Sequence, residues 1–63
     1  MSAAAMSLHN VLLVEDESDI RLLVTMTLSR LGCLDVHAEP SGRGALNYLE
    51  QGNKPDLIVL DVM

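Results

Sequence analysis

Three carboxylates stand directly after two short apolar runs. Glu15 and Asp16 follow Val11-Leu12-Leu13-Val14, and Asp61 follows Leu57-Ile58-Val59-Leu60. If both runs are parallel strands, these acids gather at one sheet edge, where open α/β sheets bind their ligands. Their oxygens are hard donors of the kind Mg²⁺ uses when it keeps several waters and takes one or two carboxylates. A cation there relieves repulsion among the acids, draws in a phosphoryl group and neutralises charge on its oxygens, so that one of the carboxylates can attack phosphorus. An aspartate at an exposed strand end is a suitable nucleophile for forming an acyl phosphate. Singly, such acids also cap helices or solvate loops. Their joint placement, with an amphipathic helix starting at the acid pair, points instead to a cation and phosphoryl site.

The elements that must position these residues are legible in the pattern. Val11–Val14 is a continuous apolar run suited to a strand covered on both faces. Ile20, Leu23, Val24, Thr27, Leu28 and Leu31 recur at helical spacing, with Ser18 as N-cap and Gly32 as stop. Glu15, Asp16, Glu17 and Asp19 crowd the N-terminus of that helix, where its dipole favours anions. Leu34, Val36 and Ala38 alternate with Asp35, His37 and Glu39, the pattern of an edge strand with one solvated face. Pro40-Ser41-Gly42 turns the chain into a shorter helix carrying Ala45, Leu46 and Leu49, which Gly52 and Asn53-Lys54-Pro55 close. Leu57–Leu60 reads as a second buried strand. The order βαβαβ with right-handed crossovers predicts an α/β unit, a three-stranded parallel sheet in the order 2-1-3 with helices on opposite faces.

Composition narrows the function classes. The chain has 63 residues, 49% of them hydrophobic, and a net charge of −5 from four basic and nine acidic side chains. So short a chain has a small core and marginal or shared stability. Its acidity and lack of stacking aromatics argue against direct nucleic-acid binding. The single Cys33 forms no internal disulfide and fits a reducing, cytoplasmic setting, where it packs at a helix end. Residues 1–9 read as a leader without signal-peptide features, and nothing approaches a membrane span.

Val11-Leu12-Leu13-Val14-Glu15-Asp16-Glu17, Leu31-Gly32, Ala38-Glu39-Pro40-Ser41-Gly42 and Pro55-Asp56-Leu57-Ile58-Val59-Leu60-Asp61-Val62-Met63 together resemble the amino-terminal half of a response-regulator receiver domain. The resemblance covers residues 10–63 and implies a truncated flavodoxin-like fold and a place in a two-component phosphorelay. It implies that Asp61 is the phospho-acceptor, that Asp16 binds Mg²⁺ directly and Glu15 through water, and that the backbone carbonyl of Met63 completes the coordination. It also implies a histidine kinase or phosphotransfer protein as phosphodonor, and an acceptor module rather than an enzyme. Receivers continue with further strands and helices that carry a phosphoryl-contacting Ser or Thr and a pairing Lys. Lys54 precedes its strand and cannot replace that lysine, so phosphorylation of these 63 residues is expected to be slow.

Two other functions compete with this one. A nucleotide- or flavin-binding unit needs a Gly-rich loop after the first strand, and Glu15-Asp16-Glu17 stand there instead. A self-associating structural fragment without signalling chemistry is the alternative, with the open edge of strand 57–61 pairing in a homodimer. His9 and His37 belong to no spaced metal cluster and are expected to be solvated. Arg43 is expected on a solvated helix face, and Met1, Met6, Met26 and Met63 form no stripe.

Overall fold

A computed structural model describes residues 8–32 and 34–60. The elements are β1 (Asn10–Val14), α1 (Ser18–Gly32), β2 (Asp35–Glu39), α2 (Gly42–Glu50) and β3 (Leu57–Leu60). All strands are parallel in the order β2-β1-β3, as the alternating pattern predicts. The register pairs Leu12 with His37 on one side and with Ile58 on the other.

The core is built on β1. Val11, Leu12 and Leu13 are buried on both sheet faces, which explains why this segment is apolar throughout rather than alternating. Leu12 and Val14 meet Ala45 of α2, with Tyr48 and Leu49 packed around them. Ser41 caps α2 by accepting from the Gly44 N–H at 3.1 Å. At its other end Gly52 adopts φ +97°, the left-handed conformation that lets its N–H return to the Leu49 carbonyl at 3.0 Å. Asn53 Nδ2 adds a bond to the Tyr48 carbonyl at 2.8 Å.

The burial of three elements departs from the sequence expectation. The sheet-facing stripe of α1 is Arg21, Val24, Thr25, Leu28 and Ser29, all half-buried. Of the expected stripe, Ile20, Leu23, Thr27 and Leu31 are exposed, Leu23 at 64%. Apolar residues surround most of this helix, so periodicity alone does not select the inward face. Leu46, expected inside α2, is likewise exposed. Both helices lie over β1 and β2 and neither reaches β3. Ile58 is therefore 46% exposed, and β3 is not the buried strand expected from its composition.

The amino ends of the strands are tied by one side chain. The Asp56 carboxylate Oδ2 accepts from the backbone N–H groups of His9 and Asn10, each at 2.9 Å, while the Asp56 N–H donates to the Asn10 carbonyl at 2.7 Å. The His9 carbonyl accepts from Asp35 N–H at 2.7 Å, so the sheet reaches into the segment read as a leader, whose residues 1–7 lie outside those described. The Asn10 and His9 N–H groups hold the Asp56 carboxyl below its ordinary value of 3.8. A depressed carboxyl stabilises the fold above its unfolded pKa, and that contribution is lost as pH falls through the folded one. Asp56→Asn is therefore expected to lower the urea midpoint near pH 7. The gap to the parent chain should close once the pH falls well below 3.8, as chemical denaturation across the acid range would show.

Candidate functional site

Strand β1 delivers Glu15 and Asp16 to the carboxyl edge of the sheet, immediately before α1. The pair divides in two. Glu15 is only 2% exposed, whereas Asp16 is exposed. The Glu15 N–H continues the ladder to the Glu39 carbonyl at 3.1 Å. Its Oε2 accepts the Glu17 N–H at 3.0 Å, and its carbonyl accepts from Arg21 Nη1 at 2.9 Å. A buried carboxylate that accepts a backbone N–H orders the turn, and the next side chain is left facing solvent.

Register brings the second predicted strand end alongside. Val14 pairs with Leu60, so β3 is described up to a point level with the residue preceding the acid pair. Asp61 and Met63, the predicted acceptor and carbonyl ligand, lie outside the described residues, as does Cys33. Among the described residues no group of three or more His, Cys, Asp or Glu side chains could hold a metal. The described part of the site supplies two carboxylates with hard oxygen donors and no competing nitrogen or sulfur ligand, a set that fits Mg²⁺.

A second constellation was not anticipated. His37 and Glu39, expected on a solvated face of β2, are half-buried beneath α2. His37 Nε2 lies 2.5 Å from Glu39 Oε2, and its ring stacks on Tyr48 with centroids 3.8 Å apart and planes 8° from parallel. The other Glu39 oxygen occupies the space a Cβ would need at Gly44, so this glycine admits the carboxylate to the first turn of α2. The only aromatic side chain among Phe, Trp and Tyr in the sequence was the available signal: a lone Tyr48 on the inner side of a helix needs a flat partner. His9 is exposed, as expected. Arg43 is exposed too and lines a shallow depression with Leu46, Asn47 and Glu50, none of which belongs to the acid turn.

Among the described residues no helix is long and apolar enough to cross a membrane. No protein-family model matches the chain, and no solved structure matches it. Two curated relatives do. The chain is 44% identical over 69 aligned residues to the alkaline phosphatase synthesis transcriptional regulatory protein SphR of Synechococcus elongatus, covering 95% of this chain and 26% of that protein. It is 43% identical over 55 residues to the probable transcriptional regulator ycf27 of Galdieria sulphuraria, covering 87% of this chain and 21% of that protein. The chain thus spans about a quarter of the length of these relatives. An acid pair ending a central first strand, a parallel sheet ordered 2-1-3 and similarity to these transcriptional regulators all agree with the resemblance to the amino-terminal half of a response-regulator receiver domain.

Proposed function

We propose that the chain carries the phospho-accepting, Mg²⁺-binding part of a receiver, with Asp61 as acceptor. The observation that carries this reading is the level end of β1 and β3, Val14 beside Leu60, with acids next in sequence after both. In the proposed step a carboxylate oxygen of Asp61 attacks phosphorus. The bond from phosphorus to the donor breaks, the electron pair leaves with the donor, and an aspartyl phosphate results. Bound Mg²⁺ supplies charge neutralisation on the transferring oxygens. Asp16 would bind it directly, Glu15 through water, and the carbonyl of Met63 would complete the protein's share. A histidine kinase or phosphotransfer protein is the proposed phosphodonor. The transcriptional control named for both relatives is proposed for a longer protein, in which this acidic segment receives the signal and does not itself touch nucleic acid.

The test is incubation with acetyl phosphate and Mg²⁺, read by intact mass. One base-labile phosphoryl group is expected, absent in Asp61→Asn and absent with EDTA. Undiminished labelling of Asp61→Asn, or labelling indifferent to Mg²⁺, would overturn the proposal.

One set of observations favours a second reading, self-association of the 63 residues. β3 is paired only to β1 among the described elements, and Leu57, Ile58 and Leu60 are exposed. An apolar strand with an open hydrogen-bonding edge is a template for another strand. A homodimer through that edge is compatible with the phospho-acceptor reading, and its test is argued in the Discussion.

A further inference from the structure

Arg21 is out of place for a helix that packs on an apolar sheet. It lies on the inward stripe of α1 beside Val24 and Thr25 and is half-buried there. Its backbone N–H donates to the Glu17 carbonyl at 2.8 Å, opening the helix. Its side chain turns back across the same turn, and Nη1 donates to the Glu15 carbonyl at 2.9 Å.

Glu15 is thereby held at three points: its N–H by Glu39, its carbonyl by Arg21, and its carboxylate Oε2 by the Glu17 N–H. Asp16 sits between two anchored residues, and its side chain is exposed. Fixing the peptide groups on either side of a residue fixes the direction in which its side chain leaves the backbone. A guanidinium suits this task because its N–H groups are planar and directional, whereas an ammonium acts as a mobile point charge.

We propose that Arg21 is a positioning residue for the acid turn, holding the Glu15 carbonyl so that Asp16 presents its carboxylate to a divalent cation. The inference rests on the Mg²⁺ reading above and names a residue outside the ligand set. It makes a prediction opposite in sign to simple electrostatics. Arg21 is the only cation among residues 8–29 and stands beside Glu15, Asp16, Glu17 and Asp19. If it acted only as a charge, removing it would leave the turn more negative and tighten Mg²⁺ binding. If it positions Asp16, removing it weakens Mg²⁺ binding despite the more favourable charge.

The experiment titrates Mg²⁺ against the thermal midpoint of the 63-residue chain, for Arg21→Met, which keeps an unbranched apolar stem, and for Arg21→Lys. The Mg²⁺ concentration giving half the maximal shift is expected to rise about 10-fold in Arg21→Met, with Arg21→Lys between it and the parent. An unchanged or lower half-saturation in Arg21→Met would overturn the proposal, even if its midpoint without metal falls. Amide hydrogen exchange at Asp16 and Glu17, followed without metal, keeps the two claims separable. Faster exchange in both variants is expected. Unchanged exchange would refute the clamp itself, whereas a parent chain indifferent to Mg²⁺ would refute the metal reading and leave the exchange result to decide the clamp.

Discussion

Leu12→Ala is expected to abolish cooperative folding. Leu12 is fully buried at the centre of the middle strand, between β2 and β3, and packs with Val14 and Ala45. Truncating a leucine in such a place costs about 3–5 kcal/mol, the transfer term plus that of the cavity left behind. Single domains hold roughly 0.05–0.15 kcal/mol per residue, so a chain of 63 residues has little beyond that to lose. Urea denaturation followed by circular dichroism should change from a sigmoid to a gradual slope. Leu46→Ala is the control: the same chemical change at an exposed site should move the midpoint by less than about 0.5 kcal/mol. A cooperative transition surviving in Leu12→Ala would mean that the core does not centre on this residue.

The second large effect separates the two edges of β3. The Asp35 and Glu15 amides bond between β1 and β2 at His9 and Glu39, so Leu12 and Val14 turn their polar groups to β3. Leu12 stands opposite Ile58 and Val14 opposite Leu60, and in a parallel ladder each bonds to the residues flanking its partner, so the N–H groups of Leu57 and Val59 point to β1. Those of Ile58 and Leu60 point away from it, to the outer edge. In an antiparallel twofold pairing centred on Val59, Ile58 of one copy would exchange both hydrogen bonds with Leu60 of the other, since these residues turn their polar groups outward. Proline at Ile58 removes an outward donor and leaves the ladder to β1 in place. Ile58→Pro should then convert the dimer to a monomer in sedimentation velocity while helical and strand signals persist. Proline at Val59 removes an inner donor and should unfold the chain. Parent chain that sediments as a monomer at high concentration would sink the dimer, and so would an Ile58→Pro chain that remains dimeric.

Much of this architecture was readable from residues 10–60 because the strong signals are local or topological. Val11–Val14 is apolar without alternation, and only a central position covers both of its faces. Parallel strands need crossovers of fixed hand, which sets the order 2-1-3. What escaped the sequence is the choice of face. Ile20, Leu23 and Leu31 fit a helical stripe as well as Val24 and Leu28 do, and the exposed result follows from how α1 leans toward β2. β3 has the composition of an interior strand, and only the placement of both helices over β1 and β2 leaves it bare. His37 and Glu39 follow strict alternation with Val36 and Ala38, a pattern indifferent to whether a polar residue meets water or a tyrosine ring. At the site, the acid pair was found by type and position, but a buried Glu15 beside an exposed Asp16, with Arg21 Nη1 reaching back to the Glu15 carbonyl, was not. That contact spans six positions and has no periodic signature.

The central position of β1 has a consequence for the tempo of folding. The first strand in the chain is the one that must be flanked on both sides, so its four apolar side chains stay wet until the last strand arrives. The closing contact, Asp56 to the Asn10 amide, joins residues 46 apart, and the chain must lose loop entropy before that contact rewards it. Nucleation is therefore expected to be slow relative to a helical protein of this size, as for other chains dominated by distant pairings. Until β3 docks, Val11–Val14 remains an unsatisfied sticky segment in every newly made copy, and conditions that delay docking lengthen the interval in which two such segments can find each other.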